Sequence, residues 1–246
     1  MIRARNLAIG YNGTAIQRRL DFDVQQGEVF LILGGSGCGK STLLRTLIGL
    51  QPAIQGEFQI EGVVPGGGEP RKPGFGVLFQ SSALFGSLTL AQNVALPLST
   101  WTNLDQDTIQ TIVRWKLGLV GLDGFENHMP SELSGGMRKR AGIARALALD
   151  PPLLFLDEPG AGLDPITSAE LDGLIHTLNR GFGVTVVIVT HELQSIYEIG
   201  DRCIMLDRDA GTAIAEGRPT DLRDHSEDPR VRRFFHRETR LTQGHA

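Results

Sequence analysis

The sequence has 246 residues, 41% of them hydrophobic, which is sufficient for one large domain with a substantial core. Its 24 basic and 28 acidic residues give a net charge of −4, which argues against a surface that coats nucleic acid. No stretch approaches the roughly 18 apolar residues that span a bilayer, and no apolar signal segment follows Met1, so we expect a cytoplasmic protein.

The first part of the chain is predicted to be rich in strands. Residues 7–9 form a short apolar run, residues 20–24 alternate between apolar and polar side chains, and residues 29–33 are apolar throughout. Tyr11 closes the first of these strands. Its aromatic ring either packs on the surface or offers a flat face to a nucleotide base.

The segment after the third strand matches the phosphate-binding pattern G-x-x-x-x-G-K-S and precedes a helical pattern. Glycines let the backbone wrap a polyphosphate, so that N–H groups and the helix N-terminus face the anion. Lys40 is expected to reach the β- and γ-phosphates, and the Ser41 hydroxyl to ligate Mg²⁺. The predicted nucleotide contacts here are Gly34, Gly35, Ser36, Gly37, Cys38, Gly39, Lys40, Ser41 and Thr42. Cys38 is expected to be a small residue of this loop; the alternative is a thiol made sensitive to alkylation by the nearby helix N-terminus.

The middle of the sequence predicts a return to the sheet and then a helical insertion. Residues 65–73 form a loop rich in proline and glycine, and residues 76–79 form a strand that ends at Gln80. From residue 89 to about residue 125, apolar residues recur at helical spacing. The apolar residues at 84–88, just before this insertion, form either a buried bend or a docking surface.

A serine followed by two glycines opens the next helical pattern. Ser134, Gly135 and Gly136 precede a helical pattern over residues 137–149. A serine cap and exposed backbone N–H groups at a helix start form a second candidate anion site, although such caps are also common without a ligand.

Polar residues follow two further apolar strands. Residues 153–156 end in Asp157 and Glu158, and residues 184–189 end just before His191. Ligands in open α/β sheets bind at the carboxyl ends of strands, so these residues are candidates for a site. Charged residues are also frequent at solvated strand ends, which leaves the simpler alternative open.

The tail from Asp224 is charged and contains one apolar pair, Phe234 and Phe235. This composition is compatible with disorder, with a helix, or with a clasp on a partner.

The order and spacing of these motifs over about 180 residues resemble those of the ATP-binding-cassette (ABC) ATPases. Tyr11 matches the aromatic residue that stacks on adenine, residues 34–42 match the Walker A loop, and Gln80 matches the Q-loop. Ser134, Gly135 and Gly136 match the signature motif, Asp157 and Glu158 the end of the Walker B strand, Asp164 the D-loop, and His191 the switch histidine.

The resemblance implies an α/β fold. This fold is a P-loop NTPase core with an N-terminal antiparallel β-subdomain and an inserted α-helical subdomain. The ATPase domain would span residues 1–223, with the helical subdomain at about 86–148, and residues 224–246 would form a C-terminal tail.

The resemblance also implies hydrolysis of ATP with Mg²⁺. Ser41 and Gln80 would ligate the metal ion directly and Asp157 through water, while Glu158 would polarise the attacking water. His191 would hydrogen-bond the γ-phosphate, and Lys40 would neutralise its charge. In this family the signature serine completes the site of a second subunit. The resemblance therefore implies a head-to-tail homodimer that holds two ATP molecules, with Ser134, Gly135, Gly136 and Asp164 among the nucleotide-site residues.

The run Met137, Arg138, Lys139, Arg140 and the sequence of residues 158–167 are most similar to the ATPase of MCE-associated (Mla-type) phospholipid transporters. This similarity implies an energy-coupling subunit that moves phospholipid between the membranes of a bacterial envelope. Its partners would be an integral-membrane permease, docked near residues 84–98, and an MCE-domain protein. The subunit would lie on the inner face of the plasma (inner) membrane, and Phe234 and Phe235 could anchor a clasp on the neighbouring protomer.

Three alternatives are weighed against this interpretation. The first is an ABC ATPase of another, non-lipid transporter. The second is a soluble ABC ATPase that acts on nucleic acid or ribosomes; the single cassette without a long coiled-coil insertion argues against it, so no nucleic-acid partner is expected. The third is a non-hydrolysing regulatory module, which Glu158 and His191 argue against.

Overall fold

The computed structural model describes residues 1–60 and 73–237, which contain two sheets and eight α-helices. The strands are β1 (Ile2–Tyr11), β2 (Thr14–Val24), β3 (Val29–Gly34), β4 (Gln55–Ile60), β5 (Gly76–Leu78), β6 (Leu153–Asp157), β7 (Thr185–Val189), β8 (Arg202–Asp207) and β9 (Thr212–Gly217). The helices are α1 (Lys40–Leu47), α2 (Leu90–Trp101), α3 (Gln106–Leu119), α4 (Gly135–Ala146), α5 (Pro165–Phe182), α6 (Leu193–Ile199), α7 (Pro219–His225) and α8 (Pro229–His236), and a 3₁₀ turn covers Pro130–Glu132.

The larger sheet has six strands in the order β5-β6-β7-β3-β8-β9. The first five strands in this order are parallel to one another, and β9 runs antiparallel to β8. Every residue of β3, β6 and β7 is buried, because both faces of this sheet are covered and each strand must be apolar throughout. Strand β3 lies between β7 and β8, so the segment that follows it emerges at the middle of the sheet.

Two apolar clusters cover the two faces of this sheet. Phe30 and Ile32 of β3 pack with the smaller antiparallel sheet, β2-β1-β4, and with α1. Leu31 and Leu33 point the other way, into a cluster with helices α2 to α6 and α8. This alternation of side chains along β3 places the β-subdomain and α1 on one face and helices α2 to α6 and α8 on the other. The predicted α/β fold is therefore confirmed.

The helical insertion consists of α2, α3 and α4. Ile109, Val113 and Leu117 are buried, as the helical spacing predicts. Helix α2 begins at a capping box, in which the Thr89 side chain accepts from the Gln92 N–H and the Gln92 side chain accepts from the Thr89 N–H.

Residues 85–89 are held to α2 by one buried amide side chain. Asn93 donates to the carbonyl oxygens of Phe85, Leu88 and Thr89 and accepts from the Phe85 N–H at 2.8 Å. The backbone of this loop is thereby fixed, while the Phe85 ring remains 56% exposed. The loop is a rigid surface feature and not a buried bend.

The C-terminal segment is helical over α7 and α8. Val231 and Phe235 of α8 are buried, and the Phe235 ring lies 6.1 Å from that of Tyr197 on α6. Phe235 is therefore part of the core of its own chain and not an anchor for a neighbour, which corrects the prediction made from the sequence. The predicted boundary between residues 223 and 224 falls inside α7.

The proline- and glycine-rich loop predicted at residues 65–73 lies almost entirely outside the described residues. Across the parts of the chain that are described, no helix combines the length and apolar character needed to cross a membrane.

Candidate functional site

The predicted phosphate loop connects the end of β3 to the start of α1. Gly34, with φ of 140°, begins the loop at a point where only glycine fits. A Cβ on this residue would lie 2.3 Å from the Leu206 carbonyl oxygen and 2.6 Å from the Cys38 sulfur. The strand, loop and helix predicted from the sequence are all present.

Two side chains hold the shape of this loop. The Lys40 ammonium curls over the loop and donates to the carbonyl oxygens of Gly34 at 2.8 Å and Gly35 at 3.1 Å. From the other side, the buried Gln17 side chain donates to the carbonyl oxygens of Cys38 at 2.7 Å and Asp207 at 2.9 Å. The loop is therefore braced before any ligand is considered, while Gly35, Ser36 and Gly37 stay exposed.

Cys38 is an inward-facing residue of the loop. Its side chain is 2% exposed, and burial raises the pKa of its thiol, against the opposing effect of the Lys40 charge. Cys38 is thus a small buried residue of the loop, as expected, and its burial argues against the alternative of a thiol open to alkylation.

Tyr11 lies beside the loop. Its hydroxyl is 2.9 Å from the Thr42 hydroxyl, and the residue is 47% exposed. A cavity of about 790 Å³ also adjoins the loop at Gly37 and is lined by three arginines, Arg18, Arg19 and Arg208. An exposed ring on one side and a positive wall nearby suit an aromatic base and an anionic chain.

Ser41 and Asp157 meet between α1 and the end of β6. The Ser41 hydroxyl donates to Asp157 Oδ1 at 3.3 Å. Burial raises the pKa of Asp157, although Ser41, Arg45 and the two nearby lysines favour its charged form. A hydroxyl and a carboxylate oxygen are ligands that suit Mg²⁺. The Gln80 side chain, at the end of β5, is exposed, and its backbone carbonyl is held by Lys139.

Glu158 and His191 meet at the ends of β6 and β7. The His191 Nδ1 atom is 2.9 Å from each oxygen of the Glu158 carboxylate, with hydrogen-bond geometry towards Oε1. The Glu158 Oε2 atom is buried and has no hydrogen-bond partner. The imidazole beside this carboxylate is 62% exposed, so the pair lies at the edge of the protein interior.

The Glu158 backbone is held in an unusual conformation. Its φ is 49°, a region that residues with a Cβ rarely adopt. Its N–H donates to the Val189 carbonyl oxygen at 2.8 Å, and its own carbonyl oxygen accepts from Lys139 at 3.0 Å. Such strain is kept where the surrounding structure fixes the backbone on both sides.

The second predicted anion site forms a separate group. Ser134 caps α4 by accepting from the Met137 N–H at 3.2 Å, and Gly136 packs so closely on α5 that a Cβ would lie 2.3 Å from Thr167 Cγ2. Asp164 caps α5 by accepting from the N–H groups of Ile166 and Thr167 and from the Thr167 hydroxyl, which lowers the pKa of Asp164.

The structure thus divides the predicted residues into two groups. Tyr11, the phosphate loop, Asp157, Glu158, His191 and Gln80 lie around the ends of β1, β3, β5, β6 and β7. Ser134, Gly135, Gly136 and Asp164 lie together at the starts of α4 and α5. Within the described part of the chain, no hydrogen bond or ion pair joins this second group to the phosphate loop.

Sequence reasoning missed two residues of the site, Gln17 and Lys139. Each is a buried polar side chain that holds backbone carbonyls far away along the chain. The available signal was weak: a polar residue at an inward position of β2, and a lysine among the other basic residues of α4.

Comparison with known proteins agrees with this arrangement. The profile of the ABC transporter family matches residues 17–161. The chain is 40% identical over 239 residues to the "probable ribonucleotide transport ATP-binding protein mkl" of Mycobacterium leprae, covering 95% of this chain and 68% of that protein. It is 38% identical over 241 residues to the "intermembrane phospholipid transport system ATP-binding protein MlaF" of Escherichia coli K12, covering 96% of this chain and 88% of that protein.

A solved structure shows the same fold. It is the dimeric post-hydrolysis state of the ATP-binding cassette MJ0796 bound to ADP and Pi, with a TM-score of 0.78 and 31% identity, covering 89% of this chain and 98% of that one. The family profile spans more than half of the chain and the relatives cover nearly all of it. The chain belongs to the ABC transporter family, as an ATP-binding subunit that hydrolyses ATP.

Proposed function

We propose that the chain is the energy-coupling ATPase of a transporter that moves phospholipid between the membranes of a bacterial envelope. Two relatives carry different transport names, ribonucleotide for mkl and phospholipid for MlaF. The phospholipid assignment is favoured because the chain spans 88% of MlaF but 68% of mkl, so the whole-protein comparison is closer to MlaF. A non-lipid transporter is the second candidate, and the name of mkl is the observation that favours it.

The nucleotide site is proposed at the phosphate loop. The exposed N–H groups of residues 35–37, the start of α1 and the Lys40 ammonium would bind the phosphates of ATP, and Tyr11 would stack on the adenine. The pair Ser41 and Asp157, with Gln80 from the neighbouring strand end, would hold Mg²⁺. When bound, the metal ion would neutralise the charge of the phosphates.

The pair of Glu158 and His191 is the observation that carries the proposed hydrolytic role. A water molecule polarised by the Glu158 carboxylate would attack the γ-phosphorus, and the bond from the γ-phosphorus to the β-γ bridging oxygen would break. Glu158 would take up the proton of the water, and the exposed His191 imidazole would hydrogen-bond the γ-phosphate. The products would be ADP and inorganic phosphate.

We infer a head-to-tail homodimer for this chain. The exposed Ser134 lies in a group separate from the phosphate loop, which supports the idea that it faces the nucleotide of a second copy. MJ0796 is a dimer in its complex with ADP and Pi. Ser134, Gly135, Gly136 and Asp164 would then close the site of the partner, and each dimer would hold two nucleotides.

An apolar cleft supports a permease partner. It has a volume of about 470 Å³ and lies between the β5 end and α2, with Phe79, Phe85, Pro97 and Trp101 among its lining residues. Arg145 braces its floor by donating to the carbonyl oxygens of Ser82 and Ala83. A cytoplasmic helix of an integral-membrane permease would insert here, beside Gln80, which would place the subunit on the inner face of the plasma (inner) membrane. An MCE-domain protein is proposed as a further member of the complex.

The domain limits remain a proposal as well. Residues 1–223 would form the ATPase domain with the helical subdomain at about 86–148, and residues 224–246 the tail.

The decisive experiment replaces Glu158 by Gln in the full chain. E158Q should keep ATP binding but lower steady-state hydrolysis at least ~100-fold, because the amide cannot take up the proton of the water. E170Q, which removes an exposed carboxylate paired with Arg140, is the matched control and should hydrolyse ATP at the wild-type rate. Wild-type turnover in E158Q would disprove the hydrolytic role.

The transport role is tested separately, by co-purification and by lipid transfer. If the native chain never co-purifies with an integral-membrane protein, or if the isolated complex fails to move labelled phospholipid between vesicles, the transport role is wrong.

A further inference from the structure

A buried lysine on α4 lies between the strand ends that carry Gln80 and Glu158. Lys139 is in the second turn of the helix that begins beyond Ser134, and 5% of its surface is exposed. Burial of an ammonium is costly unless hydrogen bonds and opposite charges compensate for its lost hydration. A lysine at this position therefore needs specific partners.

Its partners are two backbone carbonyl oxygens. The Lys139 ammonium donates to that of Gln80 at 2.6 Å and to that of Glu158 at 3.0 Å. These residues follow β5 and β6, which pair in parallel. One side chain thus joins two neighbouring strand ends to the signature helix. Burial lowers the pKa of Lys139, against the opposing charges of Asp157, Glu158 and Glu192, all of which face it from the ends of β6 and β7.

The bond to Glu158 restrains the strained backbone described above. The Glu158 N–H is held by Val189 and its carbonyl by Lys139, so both polar groups of this residue are fixed at φ of 49°. Fixing the backbone fixes the direction of the carboxylate towards His191. The same carbonyl also accepts from the Ala161 N–H at 3.2 Å. If the ammonium were lost, the carbonyl would keep only this longer bond, and the unfavourable φ would be held less firmly.

We propose that Lys139 is a positioning residue that couples the signature helix to Gln80 and Glu158. When Ser134 contacts the nucleotide of a second copy, a displacement of α4 would move the Lys139 ammonium. The ammonium would in turn shift the backbone at Gln80 and Glu158 in the chain's own site. This proposal rests on the proposed function, since it takes Glu158 as the residue that acts on water. Lys139 would act through the backbone of these two residues, because both of its hydrogen bonds go to their carbonyl oxygens.

The test compares K139M, K139Q and K139R in the full chain. K139M retains the length and removes all donors, so kcat should fall about 10- to 100-fold, while KM and the dissociation constant for ATP change less than about threefold. K139R should recover most of kcat, because a guanidinium can donate to both carbonyls. K139Q, which keeps a donor for one carbonyl, should be intermediate; if K139M does not fold, the comparison of K139Q with K139R carries the test.

The matched control is K116M. Lys116 is 1% exposed on α3 and forms an ion pair with Asp150, without contact to Gln80 or Glu158. The K116M protein should have a lower melting temperature than wild type and a kcat within about twofold of wild type.

The proposal would be overturned by a wild-type kcat in K139M or in K139Q, or by a K139R variant as slow as K139Q. If E158Q is inactive while K139M is fully active, only the role of Lys139 fails. If E158Q is active, the proposed hydrolytic role fails first.

Discussion

The phosphate loop and the signature segment, Ser134 to Gly136, are both glycine-rich starts of helices, yet their surroundings differ. The side chains of the phosphate loop are engaged by their own chain, through Lys40 to the loop carbonyls and Ser41 to Asp157. Ser134 is exposed and bonds only within its own cap. Two similar local sequences thus have different surroundings. The phosphate loop is held by side-chain hydrogen bonds from its own chain, whereas Ser134 is exposed at the surface. This difference is what a site shared between two copies requires.

The largest effect, on ATP affinity, should come from a substitution of Lys40 in the phosphate loop. K40M removes the ammonium that lies over the loop, and we expect ATP affinity, measured by titration calorimetry, to fall at least ~100-fold. R3M removes an exposed charge far away on β1 and serves as the control. Equal affinities in K40M and R3M would contradict the role of this lysine.

The outward-facing region is tested by two substitutions that both preserve the helix cap. Asn and Asp cap helices about as well as Ser, so S134N and S134D should fold with wild-type stability. S134D would place a negative charge against the phosphates of a nucleotide on a second copy, and we expect ATP turnover to fall roughly 10- to 100-fold. S134N should retain most of the turnover, and ATP binding to isolated monomers should be equal in both variants. Wild-type turnover in S134D would mean that Ser134 faces no nucleotide.

A smaller effect is expected behind both regions, where α5 and α6 meet. Asp172 of α5 accepts a hydrogen bond from Ser195 of α6 at 2.7 Å, and burial raises the pKa of Asp172 to about 6 from 3.8. The folded protein therefore holds this proton more tightly than the unfolded chain does. The contribution of Asp172 to the free energy of unfolding should therefore fall by about 3 kcal/mol as the pH rises from about 4 through about 6, and should level off above that range.

The measurement is urea unfolding of the wild type and D172N across this pH range. The difference in free energy of unfolding between the two proteins should change with pH in the sense just given. D107N, which alters an exposed aspartate in the first turn of α3, should leave the pH dependence as it is. A pH-independent difference between the wild type and D172N would show that Asp172 titrates normally.

The smallest expected effect concerns Cys38. Because the thiol is buried and its pKa is raised, modification by a maleimide at pH 7 should be at least about tenfold slower than that of a free cysteine. In urea, Cys38 and Cys203 should both react at the rate of free thiols. Rapid modification of the folded protein would show that the loop opens readily and is less braced than its hydrogen bonds suggest.

The phosphate loop was predictable because its chemistry is local. Nine consecutive residues between an apolar strand and a helix carry the whole pattern, and the structure places them as expected. The strand ends at Asp157, Glu158 and His191 were predictable for a related reason, since parallel strands bring their carboxyl ends to one edge. The roles of these residues in catalysis stay predictions until they are measured.

The supports of the site were not predictable in the same way. Gln17 reaches a carbonyl 190 positions away, and Lys139 reaches one 59 positions away. Neither contact leaves a periodic signal, because each depends on how distant elements pack. The burial of Phe235 has the same origin, since it depends on Tyr197 and not on its own eight-residue helix.

The packing of α8 on α6 has a practical consequence for protein engineering. Chains cut at residue 223 would end within α7 and lack α8, leaving the Tyr197 ring without Phe235. Since α6 begins two residues beyond His191, the loosened helix would be the one that follows this histidine at the sheet edge. Expression fragments should therefore end beyond residue 237, and a C-terminal affinity tag should follow that point. Activity lost on shorter fragments would then report a damaged core and not a missing contact between subunits.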